Sequence, residues 1–332
     1  MTIIKNKLSF CAVCFIILAY MSAPAFALDC YAWLSDTGDD APYDLNEDCS
    51  GTGWAWNSSE NKLVLDSSYT SSVFIACNYD DTVNIEVNGD VKLSDNTCGA
   101  VLCSNGSLNI SGSGTLTIMP SDLASQYSLP TIQAEKDIIF SGQVSVIVSS
   151  DQELNRTIVA EYGDIIFSDN AKVTTYSNGD GGYALYAYEN ITLAGNADLR
   201  TESFGADGAG LIVRSGDVIV NDNARLEARA HGTGYAIEIR NGSLKANNNN
   251  VFLYADDAEH ISNQENTGTG EVNADTGQET EQESDQEQEN ENESGNKSSS
   301  KNSGGSGCGS GLLPGLWIMT LLFIILKFKI KI

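Results

Sequence analysis

The sequence predicts an all-β protein, a right-handed parallel β-helix of about seven coils that spans residues 82–260. The first observation behind this prediction is an apolar anchor residue that recurs about every 27 residues. The seven anchors are Ile85, Ile110, Phe140, Phe167, Leu193, Val220 and Ala246. A repeat of this length is typical of a solenoid, in which each copy buries its apolar face against its neighbours.

Two further apolar positions accompany each anchor. One lies two residues before the anchor, on the same face of a strand, and is occupied by Val83, Leu108, Ile138, Ile165, Ile191, Val218 and Leu244. The other lies six residues after it and is occupied by Val91, Leu116, Val146, Val173, Leu199, Leu226 and Phe252. Helical periodicity is absent, and equivalent strands of successive coils must be parallel. Parallel crossovers are right-handed in nearly all proteins.

A polar residue three positions after each anchor predicts a turn. The residues at this position are Asn88, Ser113, Gln143, Asn170, Asn196, Asn223 and Asn249. We expect asparagine to adopt the left-handed conformation that a tight bend needs. Stacked amides are also expected to form hydrogen bonds from coil to coil.

A third strand opens most coils, as in the segments GAVLC, PTIQA, TIVAE, YALYA, LIVRS and YAIEI. Counting back from the anchors predicts one inward-facing position in this strand. It is occupied by Cys77, Leu102, Ile132, Val159, Leu185 and Ile212. The next position, which holds Cys103, Gln133 and Tyr186, is predicted to face outward.

The chain before the solenoid divides into a signal peptide and a cap. Residues 1–27 have a basic start, an apolar middle and the small-residue sequence APAFA, which predicts cleavage after Ala27. An uncleaved membrane anchor is the alternative. In the cap, residues 28–81, Trp54 and Trp56 are expected to cover the apolar end of the first coil. Its acidic residues are expected to be solvated turns rather than calcium ligands, since their spacing matches no EF-hand loop.

Export to an oxidising compartment favours disulfides. Cys30 and Cys49 lie at the two ends of an acidic, turn-rich loop, and a bridge between them would close this loop. Cys98 and Cys103 form the second predicted pair. The sequence leaves Cys77 open as a partner of either.

Residues 261–311 are rich in Gly, Ser, Glu and Gln and contain almost no apolar residue. Such a segment cannot bury enough surface to offset its conformational entropy, so a disordered acidic linker is predicted. Residues 312–332 form a hydrophobic segment that ends with Lys327, Lys329 and Lys331, which mark a cytoplasmic side. The apolar run 312–326 is shorter than a comfortable membrane span.

The C-terminal sequence GCGSGLLPGLWIMTLLFIILKFKIKI resembles the bacterial sorting signals that an envelope protease removes. The segment SGGSGCGSG is most similar to the Synergistetes-type sorting tails, and the LPxTG motif of sortase substrates is absent. The resemblance implies that Cys308 is a processing or attachment point and that an envelope sorting protease is a partner. A lasting membrane anchor is the alternative, and both interpretations place the solenoid outside the cytoplasm.

The segments WAWNSSENKLVLDSS, NIEVNGDVKLSDN and GSLNISGSGTLTI also resemble a family of bacterial secreted solenoids. These are described as carbohydrate-binding-domain-containing proteins, and the similarity spans roughly residues 51–257. The shared motifs are turn and core motifs, which specify the fold better than the ligand. The resemblance implies glycan binding.

The charge excludes one class of partner. The chain has 45 acidic and 18 basic residues, a formal net charge of −27. Nucleic acid is not an expected partner, because phosphate binding needs a basic surface. With two histidines and no nucleotide fingerprint, the sequence predicts no metal site and no cofactor.

Parallel β-helices also host polysaccharide lyases and hydrolases, which need convergent carboxylates on one outer face. The best group of this kind is Asp217, Asp222, Arg225, Glu227, Arg229 and His231. Alternating charge on the outward side of a strand gives the same pattern for solubility alone. The sequence therefore favours a protein without catalytic activity.

A binding face is predicted around two tyrosines. Tyr162 and Tyr188 each lie five residues before an anchor, which predicts the same register and a separation of about 4.8 Å. Tyr186 is expected to point outward from the same strand as Tyr188, with Glu161, Glu189 and Arg214 close by. Aromatic faces stack on sugar rings, whereas tyrosine is also a common strand residue that packs well.

These observations predict an exported, non-enzymatic cell-surface solenoid, adhesin-like or glycan-binding, on an acidic stalk. Its partners would be a glycan or another cell-surface ligand and, through the C-terminal segment, the membrane. A polysaccharide-active enzyme and a structural spacer of the envelope are the alternatives.

Overall fold

The computed structural model describes residues 31–34, 43–76, 81–95, 100–120, 130–151, 153, 155–256, 261–262 and 267–275. All of them belong to the unit that spans residues 1–280, and the second unit, 281–332, contains none of them. Several predictions lie outside the described residues and stay predictions. They concern the signal peptide with Ala27, most of the linker, the hydrophobic tail, and Cys30, Cys98 and Cys308.

The described residues form a parallel β-solenoid of three sheets that run along its length. We call the sheet that contains the anchors sheet B. Each of seven consecutive coils contributes one strand to sheet B, one to sheet C and one to sheet A, in that order. The predicted all-β repeat fold is confirmed.

The strands of each sheet are as follows, numbered along the chain. Sheet A contains β1 (Tyr31–Leu34), β2 (Tyr43–Asp44), β6 (Val73–Ala76), β9 (Val101–Ser104), β12 (Ile132–Ala134), β15 (Arg156–Ala160), β18 (Tyr183–Ala187), β21 (Ala209–Val213), β24 (Ile237–Ile239) and β27 (Ile261–Ser262). Sheet B contains β3 (Cys49–Gly51), β4 (Trp54–Asn57), β5 (Lys62–Asp66), β7 (Thr82–Asn88), β10 (Ser107–Gly112), β13 (Ile138–Phe140), β16 (Ile165–Phe167), β19 (Ile191–Leu193), β22 (Val218–Val220) and β25 (Leu244–Ala246). Sheet C contains β8 (Asp90–Asp95), β11 (Thr115–Pro120), β14 (Ser145–Ser150), β17 (Lys172–Ser177), β20 (Asp198–Ser203), β23 (Arg225–Ala230), β26 (Val251–Ala255) and β28 (Val272–Asp275). A short 3-10 helix, Ser58–Glu60, precedes β5.

The core lies between the three sheets and follows the predicted columns. All seven anchors are buried, and neighbouring anchors pair in register, as Phe140 does with Phe167. The rings of these two phenylalanines stack with centroids 5.1 Å apart and planes 6° from parallel. The apolar column that precedes the anchors is buried in the same way. Side chains at equivalent positions therefore pack against each other from coil to coil.

The column six residues after the anchors fails in the last coil. Leu226 pairs with Val251, which is buried, while Phe252 points away from the core. The turn from sheet B to sheet C is one residue shorter after Ala246 than after Val220, and a one-residue shift turns a strand's side chains to the opposite face.

The predicted asparagine turn is partly confirmed. The amide of Asn196 donates to Asn170 Oδ1 over 3.1 Å, and the amide of Asn223 donates to Asn196 Oδ1 over 3.3 Å, so an amide ladder exists. The left-handed residue is the one before the asparagine, however. Asp169 and Asp222 have φ values of 59° and 53°.

The register of sheet A differs from the prediction. Leu102 pairs with Gln133 and Cys103 with Ala134, so Cys103 faces the core, with 2% of its surface exposed. Cys77 lies outside the described residues, so its predicted inward position stays a prediction. The predicted register of sheet A is wrong because of the corner between sheets A and B. Counting back from the anchors assumes a corner of constant length, whereas this length differs by one residue between coils.

The cap closes the N-terminal end with antiparallel strands. Strand β4 pairs with β3 and β5, and Trp54 and Trp56 are buried, as predicted. Trp56 Nε1 donates to the carbonyl of Leu45 over 2.8 Å. Because β5 already pairs in parallel with β7, the solenoid begins within the predicted cap.

The C-terminal end extends past the predicted boundary at residue 260. Strand β27 pairs in parallel with β24, and β28 pairs in parallel with β26. Val272 packs against the core. The beginning of the predicted linker, up to Asp275, therefore continues the solenoid.

Candidate functional site

One column of outward side chains follows the corner where sheet A turns toward sheet B. Each member directly follows a strand of sheet A, and the column consists of Glu135, Glu161, Tyr188, Arg214 and Arg240. Backbone hydrogen bonds fix the register: the amide of Tyr188 donates to the carbonyl of Ala160 over 3.1 Å. The amide of Arg214 donates likewise to Ala187 over 3.1 Å. We call this set the corner column.

Tyr162 and Tyr188 are neighbours, as predicted, but they are not in the same register. Tyr188 lies level with Glu161, because the corner after β15 is one residue longer than the corner after β18. The two ring centroids are 6.1 Å apart and the planes are inclined by 56°. Tyr162 is 65% exposed and Tyr188 is half-buried.

Arg214 lies on the far side of Tyr188 from Tyr162 along the solenoid. Its guanidinium carbon is 5.1 Å from the centroid of the Tyr188 ring, a distance typical of a cation–π contact. Among the described residues it is the one arginine without a carboxylate oxygen within 4.0 Å. The paired arginines are Arg156, Arg200, Arg225, Arg229 and Arg240. We call Tyr162, Tyr188 and Arg214 the tyrosine strip.

The two predicted carboxylates differ in their surroundings. Glu161 accepts a hydrogen bond from Gln133 Nε2 over 3.1 Å and lies 3.9 Å from Arg156 Nη1. Glu189 is exposed beside the tyrosine strip, and its backbone amide donates to Gly163 over 3.1 Å. Glu161 is therefore held in place, whereas Glu189 faces solvent.

Tyr186 is on the outer face of sheet A, as predicted, but it does not form part of an exposed surface. Only 5% of it is exposed. It packs in a small second cluster with Val159 and Ile212, and the guanidinium of Arg156 lies 4.5 Å from its ring centroid. The inward prediction for Val159 and Ile212 is wrong, because both pair with Tyr186 and lie with it on the outer face of sheet A.

The residues considered for catalysis lie in different parts of the solenoid. Asp217 lies at the A–B corner, where it accepts hydrogen bonds from Ser243 and from Lys245 Nζ at 2.5 Å. The hydrogen bond from Lys245 lowers the pKa of Asp217. Asp222 lies in the B–C turn and accepts from the amide of Gly195 over 2.9 Å. Both carboxylates hold turns of the solenoid together.

Glu227 occupies the outer face of sheet C among three arginines. It is 6% exposed, and its carboxylate is bound by Arg225, by Arg229 at 2.9 Å and by Arg200 at 3.7 Å. Burial acts to raise the pKa of Glu227, but the hydrogen bonds from Arg225 and Arg229 outweigh it and the pKa lies below its ordinary value. A carboxylate held in its ionised form is poorly suited to donate a proton.

His231 joins three coils on the same face. Its Nε2 lies 2.9 Å from Glu202 and its Nδ1 lies 3.1 Å from Asp256. The ring stacks on Phe204 with centroids 4.7 Å apart, and Phe204 is 47% exposed. The sequence pattern alone does not single out Glu202 or Phe204. The register of β20 with β23 would have done so, because it places Glu202 beside Arg229.

Neither Cys49 nor Cys103 forms a disulfide with another described residue. Burial raises the pKa of Cys49, and the nearby charges of Asp48 and Asp44 act in the same direction. The predicted partners, Cys30 and Cys98, are not described, so both pairings stay predictions.

Within the described ranges, no three His, Cys, Asp or Glu side chains are grouped in a way that could hold a metal ion. No helix in the same ranges has the length and apolar character needed to cross a bilayer. Comparisons with models of protein families, with curated proteins and with solved structures return no match for this chain.

Proposed function

We propose that this protein is a glycan-binding solenoid without catalytic activity and that the tyrosine strip is its sugar site. The observation that carries the proposal is the exposure of Tyr162, 65%, directly beside a second tyrosine on the next coil. The described core is complete without this ring. A large exposed aromatic side chain next to another is typical of a binding surface rather than of a packing role.

The strip offers the two kinds of contact that a sugar needs. The open face of Tyr162 can pack against the C–H face of a pyranose ring, which removes apolar surface from water. Arg214 and Glu189 supply charged donors and acceptors for hydroxyl groups. A site on the side of a solenoid covers one face of its ligand, so we expect weak binding that many copies on one cell would strengthen.

Display at the cell surface belongs to the same proposal. It is supported by the signal-peptide sequence before residue 28, the acidic linker sequence and the tail around Cys308. Labelling of intact cells with an antibody to the solenoid tests the location. Mass spectrometry of the mature protein tests the tail, since processing predicts no peptide beyond about Cys308. Recovery of a peptide that contains Lys331 would show that the tail is retained.

A polysaccharide-active enzyme is the alternative, and the sheet C face is where it would act. The arrangement favours binding, because Glu227 is bound by three arginines and Asp217 and Asp222 are committed to turns. General acid catalysis at neutral pH needs a carboxyl group whose pKa is raised.

A glycan array probed with the full-length protein tests the proposal. We expect Tyr162→Ala combined with Tyr188→Ala to abolish binding to whichever glycan the parent protein captures. Phe204→Ala is the matched control, because it removes an exposed aromatic ring from a different face. The opposite result, retention by the tyrosine variant and loss by the control, would move the site to sheet C. New reducing ends released from the captured glycan would favour the enzyme.

A further inference from the structure

We infer that the ligand of the tyrosine strip is an acidic glycan, and that Arg214 binds the carboxylate of a uronic or comparable acidic sugar. This inference rests on the proposed glycan binding and narrows the class of ligand. Its basis is the surroundings of Arg214 and the order of charges along the corner column.

Arg214 is a cation that forms no ion pair with any carboxylate that the structure describes. It is exposed, and its guanidinium carbon lies 5.1 Å from the centroid of the Tyr188 ring. On a chain with 45 acidic and 18 basic residues, five of the six arginines lie within 4.0 Å of a carboxylate. Arg214, the sixth, has no carboxylate oxygen within 4.0 Å in the described part of the chain and can bind a carboxylate from outside. A guanidinium matches a carboxylate in shape, because two parallel N–H groups can bind its two oxygens.

The corner column has opposite charges at its two ends. Glu135 and Glu161 lie on one side of Tyr188. Arg214 lies on the other side, followed by Arg240, which is paired with Glu238. Glu161 is turned toward Gln133 and Arg156. An acidic oligosaccharide along this column therefore meets favourable charge only in the orientation that places its carboxylate beyond Tyr188, toward Arg214.

The length of the strip sets the size of the ligand. Tyr162 and Tyr188 are 6.1 Å apart, and Arg214 is a further 5.1 Å from Tyr188. This span accommodates two linked pyranose rings. One ring stacks on Tyr162, and the next carries its carboxylate to Arg214 across the edge of Tyr188. The preferred ligand is thus a disaccharide unit or longer, and a single uronic acid would reach only half of the site.

The net charge of the chain opposes the binding of an acidic glycan. A chain with a net charge of −27 repels polyanions at long range. Binding of an acidic glycan thus requires a local cation that overcomes this repulsion. Loss of Arg214 should then affect acidic glycans far more than neutral ones of the same backbone.

The test compares each of three acidic probes, oligosaccharides of polygalacturonate, alginate and hyaluronan, with its carboxyl-reduced form. We expect the full-length protein to bind at least one acidic form more tightly than the neutral form. Arg214→Gln should weaken that binding about tenfold or more, as for loss of a charge-assisted contact, and change binding to the neutral form less than about twofold. Arg214→Lys should bind the acidic form with an affinity between those of the parent protein and Arg214→Gln. Lysine keeps the positive charge but lacks the two parallel N–H groups of the guanidinium.

Two further variants separate the possible outcomes. Lys172→Gln removes an exposed charge from sheet C and should have no effect, which controls for net charge. Tyr162→Ala should weaken binding to both forms. Equal binding of the two forms, or an unchanged acid preference in Arg214→Gln, would overturn the inference and leave glycan binding intact. Capture of only neutral glycans on the array would have the same consequence. An array that captures nothing would overturn the proposed function and the inference together.

Discussion

Replacing Phe167 with alanine tests the core assignment most sharply. Phe167 is an anchor in the middle of the solenoid, fully buried and stacked on Phe140 with centroids 5.1 Å apart. Each coil packs mainly against its two neighbours. The space left by the ring can be filled only by those coils, whose backbones are fixed by the ladders of sheet B on both sides.

The free energy of unfolding that Phe167→Ala should lose follows from this environment. Truncation of a buried phenylalanine to alanine costs about 3–5 kcal/mol, through lost transfer free energy and the cavity that remains. For a body of this size, 1 kcal/mol lowers the melting temperature by about 2–4 °C. Phe167→Ala should therefore melt about 6–20 °C below the parent protein. Tyr162→Ala is the control, since Tyr162 is 65% exposed and a surface change usually costs less than about 0.5 kcal/mol.

Thermal unfolding followed by circular dichroism measures both variants. The spectrum of each should keep its strand signal at low temperature, which shows that the solenoid still forms. A Phe167→Ala protein that melts within about 2 °C of the parent would refute the core assignment, because truncation of a buried phenylalanine costs about 3–5 kcal/mol. A large loss in the Tyr162→Ala control would refute the assignment of that ring to the surface.

The other predictions concern charge, close packing and the end of the fold. Glu227 has a folded-state pKa below its ordinary value of 4.5, so its stabilising contribution is complete above that pH and is lost as the pH falls through the folded-state pKa. Urea midpoints should accordingly fall less on acidification in Glu227→Gln than in the parent protein, and parallel curves would contradict this. Gly242→Ala should lower the melting temperature strongly, since a Cβ there would lie 1.7 Å from the carbonyl oxygen of Gly216, and an unchanged melting temperature would exclude this close approach. A chain that ends at residue 260 should melt below one that ends at 280, because it lacks β27 and β28, and equal melting temperatures would show that these strands add nothing.

The core could be predicted from the sequence because burial leaves a periodic signal. The anchors and the residues two positions before them face the same core in every coil, so each position must remain apolar. The corners leave no such signal. Ala160 and Ile165 are five residues apart, whereas Ala187 and Ile191 are four apart, and both corners connect equivalent strands.

Small differences in the length of the corners account for most of the wrong predictions of register. A corner of variable length shifts the predicted register of every residue that is counted across it. For this reason Cys103 faces inward rather than outward, and Tyr162 is not in the register of Tyr188. The extension at the C-terminus was missed for another reason. Val272 is an isolated apolar residue in a polar sequence, and the backbone ladder with β26 positions it.

The candidate site was predicted in part. The pairing of Tyr162 with Tyr188 and the proximity of Arg214 followed from their equivalent places in adjacent coils. The burial of Tyr186 depends on Val159 and Ile212 on the neighbouring strands, which only the correct register of sheet A brings together. The arginines around Glu227 lie on two different coils, and their convergence likewise depends on the register of sheet C.

The most direct test of the account is a crystal structure of the protein with a bound oligosaccharide that the array identifies. We predict a sugar ring against Tyr162 and a carboxylate of the next unit within hydrogen-bonding distance of the guanidinium of Arg214. A ligand bound on sheet C beside Phe204, with the tyrosine strip unoccupied, would contradict the account.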